Sequence, residues 1–191
     1  MKTVILHGDS IREGYQPFVT AELAGEMAVF GTEHGRSSRY TLEHLNEGIA
    51  TWPSADVVHL NCGLHDLASP KDQPGKHQIE PDEYEQNLRQ ILSTIRDRTS
   101  AKIIWARTTP TNEKRHHEIK PFDRLEADVV RYNEVGDKVA SELADDVNDL
   151  YTLVMEAGRD ELLGPDGCHF TDEGKQHLAR AVVDAIRRAL A

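Results

Sequence analysis

The stretch "TVILHGDSIREGY", residues 3–15, decides how the chain is read. An apolar, partly β-branched run ends abruptly in Gly8-Asp9-Ser10, the pattern of a buried strand leaving through a tight turn. Shorter runs of the same character recur at 27–30, 57–60 and 102–106, with a weaker fifth candidate at 147–154. Between them the spacing turns helical. Residues 82–97 put Tyr84, Leu88, Ile91, Leu92 and Ile95 on one face, with Asp82 and Glu83 in the first turn, where the helix dipole favours acids. Residues 123–144 carry a similar stripe, from Leu125 through Val129 and Tyr132 to Val139. In "HFTDEGKQHLARAVVDAIRRAL", residues 169–190, Thr171 is placed to cap a last helix that ends in Arg187 and Arg188. The alternation of β and α predicts one α/β domain over 1–191, with a parallel sheet of roughly five strands and helices on both faces.

The composition narrows the function. No apolar run approaches the roughly 18 residues of a membrane span. The run at residues 3–6, after Lys2, is too short for a secretory h-region, so the expected location is the cytoplasm. A net charge of −11 repels phosphate backbones and anionic lipid, so neither nucleic acid nor membrane is an expected partner. The two cysteines, Cys62 and Cys168, are too few for a disulfide framework, though the sequence leaves a single bridge between them open. Paired ligand spacings for zinc are lacking, so neither a metal nor a cofactor is expected, and His116-His117 reads as part of a solvated loop. The polar segment 108–128 reads either as a loop over the substrate site or as a plain connector. The oligomeric state is left open.

In open parallel sheets the site lies beyond the carboxyl ends of the strands, so the strand exits carry the candidates. They are Gly8-Asp9-Ser10, "GTEHGRSS" from Gly31, "NCGLHD" from Asn61, and "ARTTPTNE" from Ala106, joined by "GPDGCHF" before the last helix. Ester hydrolysis by serine needs a hydroxyl, a base, a group that orients the base, and donors for the oxyanion. Ser10 suits the nucleophile, His169 the base, and Asp166 the orienting carboxylate, since three residues of separation within a turn let a carboxylate reach the ring. The candidate oxyanion donors are the N–H groups of Ser10 and Gly35 and the side chain of His65. Asp9 reads as a brace for the first turn, and Asp66 as a supporting group or a rival carboxylate for His169. Arg12 either holds an acidic substrate at the entrance or pairs with Asp9 or Glu13. Arg36 and Arg39 are left undecided between the same two uses.

In order along the chain, "GDS", Gly35, "GLHD" and "DGCH" resemble the four blocks of the SGNH (GDSL-type) hydrolase family, a likeness that spans nearly the whole chain. The resemblance implies a flavodoxin-like three-layer α/β/α sandwich and an esterase, with Ser10, Asp166 and His169 as triad and Gly35 as an oxyanion donor. One block departs from the pattern: Gly63-Leu64-His65-Asp66 stands where the family has Gly-x-Asn-Asp, and a neutral histidine can donate in place of the amide. The expected substrate is a small ester with a short acyl group, an acetylated carbohydrate among the family's substrates. The competing reading is a ligand-binding module on the same fold with a weak or inactive site.

Overall fold

The computed structural model describes every residue of the chain except His34 and Pro53. Along the chain the elements are β1 (Lys2–His7), α1 (Ser10–Glu22), β2 (Met27–Gly31), α2 (Ser38–Thr51), β3 (Val57–Leu60), β4 (Ser69–Pro70), α3 (Pro81–Arg98) and β5 (Lys102–Ala106). They continue with α4 (Glu113–Ile119), β6 (Phe122–Asp123), α5 (Glu126–Leu143), β7 (Asp146–Asn148), α6 (Leu150–Glu156), α7 (Arg159–Leu162) and α8 (Asp172–Leu190). Five strands form one parallel sheet in the order β2-β1-β3-β5-β7, the flavodoxin-like order when only these five are counted. Helices α1 and α8 pack together on one face, and α2, α3 and α5 follow one another across the other. Strands β3 and β5 are buried almost throughout, which is why they read as continuous apolar runs.

The order reverses between β1 and β3, and their exits are held side by side. His7 is in register with Leu60, and the Asn61 N–H donates to the His7 carbonyl at 3.1 Å. The crevice that this switch point opens lies between the first and third exits.

Several expectations shift. The fifth strand covers only Asp146–Asn148, because the Asp149 side chain accepts the Thr152 N–H at 2.9 Å and starts α6 where more strand was expected. Strand β2 is a sheet edge and lies half open, with Phe30 46% exposed, where a buried strand was expected. The helix expected over 123–144 starts at Glu126, because Phe122 and Asp123 pair with Ser69 and Pro70 in a small antiparallel ladder. Segment 108–128 is no open loop: Thr108, Thr109 and Thr111 are buried, and α4 occupies its middle. His116 lies wholly buried in that helix, not on a solvated loop, while His117 is exposed. Two helices escaped the periodicity argument because polar residues sit on their inward faces. Arg12 is buried on α1, and Ser38 and Thr41 are buried on α2.

Candidate active site

Ser10 is the first residue of α1, and Asp9 caps that helix by accepting the Ile11 N–H at 3.0 Å. A residue at the first helical position has no intrahelical acceptor for its own N–H, and the helix dipole adds positive potential there. Strand β1 and helix α1 thus present the hydroxyl and the amide of Ser10 together at the sheet's carboxyl edge.

The loop before α8 brings the other two groups. His169 Nε2 lies 2.9 Å from Ser10 Oγ, and His169 Nδ1 lies 2.6 Å from Asp166 Oδ2. The Cys168 and His169 backbone N–H groups donate to Asp166 Oδ1 at 3.1 and 2.9 Å. Lys120 Nζ stands 3.0 Å from Oδ2, a partner that no motif announced. Partial burial works against ionisation of Asp166, but the bonds from His169, Lys120 and Cys168 outweigh it and hold the carboxyl well below its usual range. An ionised Asp166 keeps the ring proton on Nδ1 and leaves the Nε2 lone pair facing the serine hydroxyl.

Asp66 is elsewhere. It is fully buried and accepts the Ser38 N–H at 2.8 Å and the Ser38 hydroxyl at 2.5 Å, so it fastens the third exit to the second. It is therefore no rival carboxylate for His169. Burial drives its carboxyl up to about 7 against the pull of the Ser38 bonds.

Gly35 also differs from expectation. Its N–H is donated to the Gly8 carbonyl at 2.9 Å, not held open for a substrate oxygen. A Cβ there would lie 2.8 Å from that same oxygen, so the need for glycine arises from backbone packed on backbone. Gly8 is constrained likewise, since a Cβ would fall 2.1 Å from Asn61 Oδ1.

Arg12 is not at an entrance. It is buried with Nη2 on the Gly8 and Thr32 carbonyls at 3.3 and 3.0 Å, and its ion pair to exposed Glu13 is a loose 3.7 Å. Arg39 forms a two-pronged pair with Glu83, and Arg36 lies over the Tyr40 ring. Cys62 and Cys168 are both free thiols, buried in the core, so no bridge joins them.

His65 is half-buried at the third exit. It lines a cleft of about 640 Å³ together with Ser69, Lys76, Phe122 and Arg124. A second cleft of about 420 Å³ lies between β2 and α2, against His7, Gly35, Tyr40 and Trp52. Neither is lined by Ser10 or His169, and the His169 side chain is 44% exposed. No helix among the described residues is long and apolar enough to cross a membrane.

Comparison with known proteins places this arrangement. The model of the GDSL-like Lipase/Acylhydrolase family matches residues 6–177, which takes in all four motif blocks. A search of curated proteins finds no match. Among solved structures, the lipase/acylhydrolase from Enterococcus faecalis superposes with a TM-score of 0.81 at 24% identity, covering 98% of this chain and 96% of that one. A mutant of an acetyl-xylooligosaccharide esterase from Geobacillus stearmophilus gives 0.76 at 22% identity, over 97% and 94%. A psychrotrophic esterase from Pseudoalteromonas, solved with monoethylphosphonate as inhibitor, gives 0.74 at 13% identity, over 100% and 99%. With its five-stranded parallel sheet, its match over nearly the whole chain and a hydroxyl, imidazole and carboxylate in line, the chain belongs to the GDSL-like lipase/acylhydrolase (SGNH hydrolase) family of ester hydrolases.

Proposed function

We propose that this enzyme hydrolyses carboxylic esters with short acyl groups through a Ser10 acyl-enzyme. The observation that carries the reading is the chain of contacts from Ser10 Oγ to His169 Nε2 and from His169 Nδ1 to Asp166. His169 takes the serine proton as Oγ attacks the carbonyl, and the tetrahedral oxyanion forms beside the Ser10 N–H at the start of α1. His65 is the side-chain donor of the hole, and Gly35 joins only if its N–H is drawn away from Gly8. The alcohol leaves with the proton from His169, and water, activated by the same ring, then releases the acid.

The dyad lines neither cleft and the His169 side chain is 44% exposed, which favours a small acyl group and a hydrophilic alcohol facing solvent, so an acetylated carbohydrate is the preferred substrate. That preference draws on the acetyl-xylooligosaccharide esterase among the structural relatives. The test is incubation with a serine-directed phosphonate, followed by mass mapping and by rates on 4-nitrophenyl acetate and octanoate. Label on Ser10, none on Ser10→Ala, and a strong preference for acetate are expected. Folded protein that stays unlabelled and hydrolyses no ester overturns the reading.

A further inference from the structure

Arg12 and Arg124 are the two buried cations among the described residues, and they are treated differently. Arg12 has Glu13 within ion-pair distance, whereas Arg124, 6% exposed, has no carboxylate within that distance among the described residues. Its Nε donates to the Leu64 carbonyl at 2.7 Å and its Nη1 to Cys168 Sγ at 3.1 Å, and its plane lies over the Phe122 ring. A guanidinium has five N–H donors, so three of them are left without a protein acceptor. The Nη2 atom, which carries two of those donors, is not sealed off. An unpaired buried charge is costly, and a site that keeps one is prepared for a counter-charge from outside.

The setting of Arg124 points the same way. It lines the 640 Å³ cleft with Lys76, whose ammonium, among the described residues, donates only to the neutral Gln73 amide at 3.0 Å. No aspartate or glutamate lines this cleft, in a chain whose net charge is −11. The nearby carboxylates of Glu80 and Asp128 lie beside the two ring nitrogens of His77, at 3.4 and 3.1 Å. The Ser69 hydroxyl, also lining the cleft, is buried without a hydrogen-bond partner. The cleft adjoins the reaction, because Leu64 precedes His65 and Cys168 precedes His169, so each Arg124 bond ends one residue from the machinery.

Resting on the esterase reading above, we propose that the cleft at Arg124 and Lys76 binds an oxyanion carried by the ester substrate, making this a hydrolase of anionic esters. A carboxylate or phosphate on the substrate would lie against the free edge of Arg124, with Lys76 at the rim. Bidentate geometry suits guanidinium and such groups. The neutral part of the substrate then spans from the cleft to Ser10.

The experiment compares kcat/KM for charged and neutral esters of similar size. Carboxylate on the alcohol side is tested with 4-acetoxybenzoate against its methyl ester, and phosphate with 4-acetoxyphenyl phosphate. Carboxylate on the acyl side is tested with 4-nitrophenyl hemisuccinate against 4-nitrophenyl butyrate. At least one charged arm is expected to exceed its neutral counterpart by tenfold or more, mainly through KM, and the responding arm identifies the side and the anion. Arg124→Gln is expected to abolish that ratio and Lys76→Gln to lower it several-fold. The control Arg98→Gln, at an exposed end of α3 bonded to Asn46, is expected to leave both ratio and rate unchanged. Should Arg124→Gln unfold, Lys76→Gln and the wild-type ratio still decide. Neutral esters turned over with no preference in any arm overturn the anion site alone, while absence of all ester hydrolysis brings down the esterase reading with it.

Discussion

The loop at 163–170 and the loop at 61–67 each carry an aspartate and a histidine, and the fold uses the two pairs in opposite ways. Asp166 and His169 bond to each other and face Ser10, at a surface open enough to leave the imidazole 44% exposed on its side chain. His65 and Asp66 are adjacent but diverge. Asp66 turns into the core to hold Ser38, while His65 stays at the cleft. Charge compensation follows the same division. Asp166 is surrounded by donors and held ionised, whereas Asp66 is desolvated and pushed up to about 7. One carboxylate is held ionised beside the imidazole and the other fastens two loops together.

That contrast breaks most visibly in Asp166→Asn. The amide cannot fix the imidazole tautomer, so kcat on 4-nitrophenyl acetate should fall by roughly 10⁴ with little change in Tm. The paired variant Asp66→Asn should leave kcat within about tenfold, because its effect reaches the site only through the Ser38 loop. Equal losses of kcat in the two variants would erase the distinction.

Asp66→Ala tests attachment. It strands the buried Ser38 N–H and the Ser38 hydroxyl proton, while that hydroxyl still accepts from the Asn87 amide at 3.0 Å. Unfolding in urea should show a loss of roughly 3 kcal/mol. His65→Ala should lower kcat by roughly 10² and leave stability nearly intact, as expected for one oxyanion donor. An unchanged rate would remove His65 from the mechanism.

The pH dependence of stability sharpens the comparison further. Asp66 is raised in the folded state, so the stability it contributes is complete below the ordinary carboxylate range and is lost as pH climbs to about 7. His7, His59 and His116 have the opposite sign. Burial lowers all three to about 4, so their contribution is complete above 6.5 and is lost as pH falls toward 4. Three histidines outweigh one aspartate, and wild type should lose stability on acidification from pH 6.5 to 4. Asp66→Asn removes the opposing contribution and should lose it more steeply, as urea titrations across that range would show. Superimposable profiles would contradict the buried, raised Asp66. The smallest effect is expected of Lys120→Met, which takes one part-exposed cation from Asp166 and should lower kcat by less than about tenfold.

Much of the fold was legible because strand exits and apolar stripes are local. The last helix lies at 172–190 with its Thr171 cap, whose hydroxyl accepts the Gly174 N–H at 3.2 Å, and the stripe at 82–97 falls within Pro81–Arg98. Asp166 and His169 were legible for the same reason, since three residues along one turn set their contact. The partners that went unread are distant in sequence: Lys120 lies 46 positions before Asp166, and Arg124 lies 60 after Leu64 and 44 before Cys168. No spacing rule connects such pairs.

By itself, then, the sequence determined the βα alternation, the blocks at the strand exits and the residues proposed as nucleophile, base and orienting carboxylate, all properties of short windows where propensity and spacing act. Only the tertiary structure decided that Asp66 is buried against Ser38, that the Gly35 amide closes on Gly8, and that Arg124 is enclosed with no counter-ion among the described residues. Those outcomes depend on which groups are desolvated together, and desolvation is set by the packing of segments far apart in the chain.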